Sequence, residues 1–458
     1  MGAWATALPP QVERALRAAG VPASAVGAWV QEVGAARPAV DANSAAALNP
    51  ASVIKLVTTF AALDLLGPAY RWKTEVFLDG RLRDGVLEGN LVLKGYGDPK
   101  LDYERYWMLL RALRGKGLRE IRGDLVLDRS WFEPGTDDPG RFDGEALRPY
   151  NVLPDALLLN YKSLRFGFTP EPERGTVRVF MEPQAPGMEV QNSLRLAEGP
   201  CPSGRAFRDA LKAVFEAVPG RAAFAGQYAA SCGEKDLHVA LLSPDAYAAG
   251  LTRALWQQLG GAWAGNVREG RVPADARPFH VHQSPPLVDA VRDINKLSNN
   301  VMARQLFLTL AAESAGPPGR LPEASRTVQR WLAGRGIEAP ELVMENGAGL
   351  SRVARISARS LGRMLGAAWT SPLMPEFISS LPLAATDGTM RKRLNGEGIA
   401  GQAHLKTGLL SDARSVAGYV LDRRGRRHVV VMLVNHPNAG QSAPAIDALL
   451  RWVWEKSD

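Results

Sequence analysis

Residues 49–67 read "NPASVIKLVTTFAALDLLG". After Pro50 and Ala51 the stretch is apolar at Ile54, Leu56, Val57, Phe60, Ala61, Leu63 and Leu65. That is nearly every side of a helix, so the pattern predicts a central, buried one. Lys55 interrupts it three residues after Ser52. Positions i and i+3 share a helix face, so the Ser52 hydroxyl and the Lys55 amine can meet. A helix start after Pro50 would leave backbone N–H groups unpaired around Ser52, favouring developing negative charge. Apolar neighbours would desolvate Lys55 and lower its pKa toward that of a useful base. Taken alone, the pattern equally describes an N-cap serine with a snorkelling lysine.

Two later triplets decide between these readings. "SNN" places Ser298, Asn299 and Asn300 between a polar and an apolar helical stretch, and "KTG" places Lys406, Thr407 and Gly408 in the strand-like "AHLKTGLL". Ser298 can relay a proton and Asn300 can donate to a substrate amide, while Asn299 would point away. Lys406 supplies a second cation that depresses Lys55 and holds a substrate carboxylate. Thr407 offers a hydroxyl, and Gly408 would let a substrate backbone approach closely. The N–H groups of Ser52 and Leu409 would form an oxyanion hole. S-x-x-K, S-x-N and K-T-G in this order match penicillin-binding proteins and β-lactamases.

The rest of the chain sets the frame. Its 458 residues allow about two to four domains. Hydrophobic residues are 46% and charged residues 22%, ordinary for a folded protein. The net charge of +8 is scattered, and its densest run, "DRRGRRH" at 422–428, lies between apolar alternating segments as a hairpin turn would. Nucleic-acid binding is therefore not indicated. No segment nears the roughly 18 apolar residues of a membrane span. The opening "MGAWATALPPQVERALRAAG" shows no basic region followed by an apolar one, so no secretion signal is visible. The pair "HVH" at 280–282 lacks a third nearby ligand, and neither cysteine has a metal-ligand spacing, so no metal or cofactor is expected. Cys201 and Cys232 are either two buried thiols or, in an oxidising compartment, a disulfide.

A helix near 10–19 and the strand "AVGAWVQEV" precede the Ser52 helix. From Lys73 short strands such as "TEVFLDG", "GNLVLKG" and "GDLVLD" alternate with Gly and Asp turns, a β-rich pattern. Helical patterns return at "SPDAYAAGLTRALWQQLG" and "SPPLVDAVRDINKLSNNVMARQLFLTLAAE". The end reads as three antiparallel strands and a helix, "APAIDALLRWVWEK". The fold class is α+β: an antiparallel sheet flanked by helices, split by a long β-rich insertion.

Beyond the triplets, "ENGAGLSR", "SLPLAATDGTMRKRL" and the segments around the first two motifs follow in the order of a known family. The chain resembles the class C low-molecular-mass penicillin-binding proteins, which are D-alanyl-D-alanine carboxypeptidase/endopeptidases, over almost its whole length. The resemblance implies a penicillin-recognising catalytic domain (1–72 with 283–458), an inserted domain (73–165 with 245–282) and a third nested within it (166–244). It implies Ser52 as nucleophile, Lys55 as base, and Ser298, Asn300 and Lys406 as their catalytic partners. Leu350 and Arg352 would border the cleft. In "FDGEALRPYN", Glu145 and Tyr150 would meet the side chain of a peptidoglycan stem peptide. β-Lactams would be covalent inhibitors. An extracytoplasmic, mature chain with a Cys201–Cys232 disulfide would follow. A β-lactamase and an idle cell-wall binding module are the alternatives; no E-x-x-L-N segment supports the former. Oligomeric state is left open.

Overall fold

A computed structural model of the chain describes residues 7–135, 137–185, 187–218, 220–396 and 398–455. They form two compact units. One holds the described residues up to Trp72, Trp131–Glu133 and Pro285 onward; the other holds Lys73–Ser130 and Pro134–Ser284. Elements of the first unit are numbered below in chain order, and those of the second are given by range.

The first unit is built on a five-stranded antiparallel sheet of β1 (Val26–Glu32), β2 (Val40–Ala42), β3 (Ala403–Leu409), β4 (Ala413–Leu421) and β5 (Arg427–Asn435). Their order is β3-β4-β5-β1-β2, so the N-terminal strand pairs with the last one and β3 is an edge. In β5 every residue from His428 to Val434 is buried, because helices cover both faces of the sheet. Helices α1 (Pro10–Ala18) and α8 (Ala443–Glu455) share an apolar cluster with one face: Val12, Leu16, Val430, Met432, Ile446 and Leu450. The remaining helices are α2 (Lys55–Leu66), α3 (Leu287–Leu297), α4 (Asn300–Ala315), α5 (Leu321–Gly334), α6 (Ala358–Trp369) and α7 (Met374–Ser380). Every residue of α2 from Lys55 to Leu63 is buried, as its all-round apolar pattern requires.

Two details depart from the sequence reading. Ser52 lies in a 3₁₀ turn, Ala51–Ile54, and Lys55 is the first α-helical residue. In 3₁₀ geometry i and i+3 eclipse, which aligns the two side chains more closely than an α-helix would. The stretch read as one helical region around "SNN" is two helices, broken where Ser298 takes a left-handed conformation (φ 57°, ψ 38°).

The second unit has a seven-stranded sheet led by the hairpin Lys73–Arg83/Val86–Gly95. Its turn, Asp84-Gly85, has positive φ at both residues, as a two-residue hairpin demands. A five-stranded and a three-stranded sheet follow. One apolar cluster joins Val76 and Leu91 to Phe166, Phe224 and Tyr228. Helix Tyr103–Gly115 was not anticipated in a segment read as β-rich; its buried Tyr106, Leu109, Leu110 and Leu113 show the helical spacing that the surrounding strands obscured. Cys201 and Cys232 form a disulfide. Among the described residues no helix is long and apolar enough to cross a membrane.

Candidate active site

The Ser52 turn is fastened before it is functional. Asn49 and Asn435 exchange hydrogen bonds: Asn49 N–H donates to Asn435 Oδ1 (2.6 Å) and Asn435 Nδ2 donates to the Asn49 carbonyl (2.9 Å). Asn49 Oδ1 accepts from the N–H of Ala51 (2.9 Å), and its Nδ2 donates to the Ser351 carbonyl (2.8 Å). Ser415 Oγ on β4 donates to the Pro50 carbonyl (2.6 Å). Gly408 is the point of closest approach: a Cβ there would lie 2.3 Å from Ser415 Oγ and 2.9 Å from both the Ala51 Cβ and the Pro50 carbonyl. Its glycine is thus needed for packing β3 against the Ser52 turn, where the sequence suggested room for substrate backbone.

Lys55 is fully buried, and its Nζ lies within hydrogen-bond reach of three oxygens: Ser52 Oγ (2.9 Å), Asn300 Oδ1 (2.7 Å) and the Ala348 carbonyl (2.5 Å). Two of these are carbonyl oxygens, which only accept; the serine hydroxyl alone can also donate. A neutral amine has two N–H groups and one lone pair. In that form the two carbonyl oxygens would take the N–H groups and leave the lone pair for the Ser52 hydroxyl. Burial drives Lys55 well below its ordinary pKa, and the nearby positive charges of Lys406 and Arg304 push it the same way.

Segment 345–350, "ENGAGL", supplies the third oxygen, from a stretch in which the sequence singled out only Leu350. Asn346 Oδ1 accepts from the N–H groups of Ala348 (3.0 Å) and Gly349 (3.2 Å), and its Nδ2 donates to the Leu350 carbonyl (2.9 Å). Thr58 Oγ1 on α2 donates to the Gly347 carbonyl (2.7 Å). Gly349, at φ 78°, sits where a Cβ would be 2.0 Å from the Ala51 carbonyl. Asn346, Ala348 and Gly349 are the residues that motif reading missed.

The second motif divides its labour. Ser298 is the C-cap of α3, and its Oγ accepts from Lys406 Nζ (2.8 Å). Asn299 turns away and caps α4, its Oδ1 accepting from Met302 N–H (3.0 Å). Asn300 turns in, its Oδ1 meeting Lys55. Asn295 ties α3 to α2: its Nδ2 donates to Thr59 Oγ1 (3.2 Å), and that hydroxyl donates to the Lys55 carbonyl (2.7 Å).

Lys406 is fully buried, and burial lowers its pKa to about 7. Its Nζ also donates to the Thr407 carbonyl (2.7 Å). On β3 the N–H of Leu405 points away from the sheet, donating to the Pro382 carbonyl (2.8 Å). Alternation along a strand puts the N–H groups of Thr407 and Leu409 on that same outer edge. The Leu409 side chain is 59% exposed. Leu350 is half-buried, and Arg352 binds Ser411 Oγ and Asp412 Oδ1 (both 3.1 Å) in the β3–β4 turn.

Glu145 and Tyr150 belong to the second unit. There the Glu145 N–H donates to Asp143 Oδ1 (3.0 Å), Tyr150 Oη donates to Asp143 Oδ2 (2.9 Å), and the Arg148 guanidinium lies 5.5 Å from the Tyr150 ring centre.

The model of the D-Ala-D-Ala carboxypeptidase 3 (S13) family matches residues 8–455. A D-alanyl-D-alanine carboxypeptidase of Actinomadura sp. (strain R39) is 29% identical over 415 residues, 87% of this chain and 75% of that one. The D-alanyl-D-alanine carboxypeptidase DacB of Haemophilus influenzae is 25% identical over 402 residues, 87% of this chain and 83% of that one. The crystal structure of penicillin binding protein 4 from Haemophilus influenzae superposes with a TM-score of 0.80 at 22% identity, over 97% of this chain and 99% of that one.

Proposed function

From the premise that this chain belongs to the D-Ala-D-Ala carboxypeptidase 3 (S13) family, a family of serine-type DD-carboxypeptidases, we propose the following residue-level mechanism. Ser52 Oγ attacks the carbonyl of the penultimate D-alanine of a peptidoglycan stem peptide, and its proton passes to the lone pair of Lys55. The developing oxyanion is held by the N–H groups of Ser52 and Leu409. As the C–N bond breaks, the leaving D-alanine amine takes a proton from the Ser298 hydroxyl, which Lys406 replaces. Water then attacks the acyl-enzyme, its proton passing through Ser298 back to Lys406. The departing Ser52 oxygen recovers its proton from Lys55, and both lysines return to their starting states.

One observation carries this reading: Lys55 Nζ has two acceptor-only partners and a single partner able to donate, the hydroxyl of Ser52. A β-lactam presents a carboxylate and a strained amide in a similar arrangement and would acylate the same oxygen. A cell-wall substrate and the Cys201–Cys232 disulfide both support an extracytoplasmic location.

Product analysis on purified muropeptides tests the reading. D-Alanine released from monomeric pentapeptides supports it, and monomers released from crosslinked dimers would add endopeptidase action. Rapid turnover of penicillin without D-alanine release would instead mark a β-lactamase.

A further inference from the structure

Thr389 belongs to none of the three motifs, yet its side chain sits against the third. It lies on the 3₁₀ turn Gly388–Met390. The segment leading to that turn is laid along the outer edge of β3, where Leu383 bridges His404 and Ala384 N–H donates to the Ala403 carbonyl (2.9 Å). Asp387 fixes the turn: its Oδ1 accepts from Leu383 N–H (2.8 Å), and its Oδ2 meets the Lys296 ammonium (2.6 Å). Gly388, at φ 53°, packs so tightly that a Cβ would come within 2.6 Å of the Lys296 carbonyl. The turn therefore holds Thr389 at a set place, where its Oγ1 accepts from Thr407 Oγ1 (2.8 Å).

Each of the two hydroxyls carries one proton and can rotate to present it, and the Thr389 side chain is exposed. Lys406 is fully buried and donates to Ser298 Oγ and the Thr407 carbonyl, so it attracts an anion through its field from behind the hydroxyls. The Leu409 side chain, on the Thr407 face of β3, is apolar and offers no hydrogen bond. One extended residue spans about 3.5 Å. With the scissile carbonyl between Ser52 and Leu409, the carboxylate of a one-residue leaving group falls beside Thr407.

We propose that Thr389 is a substrate-binding residue which, with Thr407, grips the terminal carboxylate of the substrate, each hydroxyl rotating to donate one hydrogen bond. Both bonds are charge-assisted, and the pair selects substrates that end in a free acid. The inference rests on the DD-carboxypeptidase reading and refines its specificity.

The test compares kcat/KM for a peptide ending in D-Ala-D-Ala with that for the same peptide ending in a carboxamide. In Thr389→Val the free-acid to carboxamide ratio falls about 10- to 100-fold, the cost of one hydrogen bond to a charged group. Thr389→Ser, which keeps the hydroxyl, holds the wild-type ratio. Both substrates are measured on one preparation, so the folded fraction cancels. An unchanged ratio in Thr389→Val, or an equal fall in Thr389→Ser, overturns the carboxylate role alone. Failure of the wild type to release D-alanine would overturn the activity reading, and this inference with it.

Discussion

Asn300 Oδ1 accepts a hydrogen bond from Lys55 Nζ at 2.7 Å, joining side chains 245 positions apart in the chain. With the Ala348 carbonyl it would occupy both N–H groups of a neutral amine and leave the lone pair for Ser52. Replacing Asn300 by Asp would put a negative charge against Lys55, favour the ammonium, and disarm the base near neutrality. We expect acylation by penicillin to fall at least about tenfold at pH 7 and to recover in part at higher pH. A flat loss at every pH would contradict the assignment.

Asn346 shapes the loop that offers the Ala348 carbonyl. Asn346→Ala leaves two loop N–H groups without their acceptor, and we expect kcat to drop about 10- to 100-fold with a smaller change in KM. Steady-state kinetics on a D-Ala-D-Ala peptide check this. A rise in KM alone would show that the loop binds substrate and does not set the base.

Lys406 starts the proposed cycle as an ammonium, and burial lowers its pKa to about 7. The protonated fraction falls as pH rises through that value, so D-alanine release should decline on the alkaline side of about pH 7. A kcat profile still rising at pH 9 would remove Lys406 as the proton source.

Gly408→Ala would drive a Cβ into Ser415 Oγ and the Ala51–Pro50 backbone. Overpacking of this kind costs about 1–3 kcal/mol, read as a lower melting temperature. Activity should fall further than stability, since the displaced atoms belong to the turn that carries Ser52. An unchanged melting temperature with altered substrate affinity would return Gly408 to a purely substrate-facing role.

The Cys201–Cys232 link joins positions separated by 31 residues, and removing it should cost about 3–4 kcal/mol in the chain-entropy model. Denaturant unfolding with and without a reductant measures it. The effect should be confined to the second unit, and D-alanine release should survive mild reduction.

Much of this molecule was legible in its sequence because local pattern and global fold agree. The all-round apolar face of α2, the three terminal strands and the α+β class follow from periodicity alone. Ser52 and Lys55 were legible as a pair because they are three positions apart and the 3₁₀ turn brings them together. Ala348 was not, since its partner Lys55 lies 293 residues away, and neither it nor Asn346 carries a periodic signal within "ENGAGL". The helix Tyr103–Gly115 was hidden for another reason: it follows close on a hairpin and a loop whose Gly and Asp turns dominate the local reading.

Attack by Ser52 requires an unprotonated Lys55, and the rate of penicillin acylation as a function of pH reads that state directly. Intact-mass kinetics from pH 5 to 11, with Ser52→Ala as the unlabelled control, would follow it. Because burial and neighbouring cations hold Lys55 well below its ordinary 10.5, the rate should reach its plateau at a pH well below that value. A rate that climbs steadily with pH and levels off only near 10.5 would show an ordinary, charged lysine and contradict the mechanism.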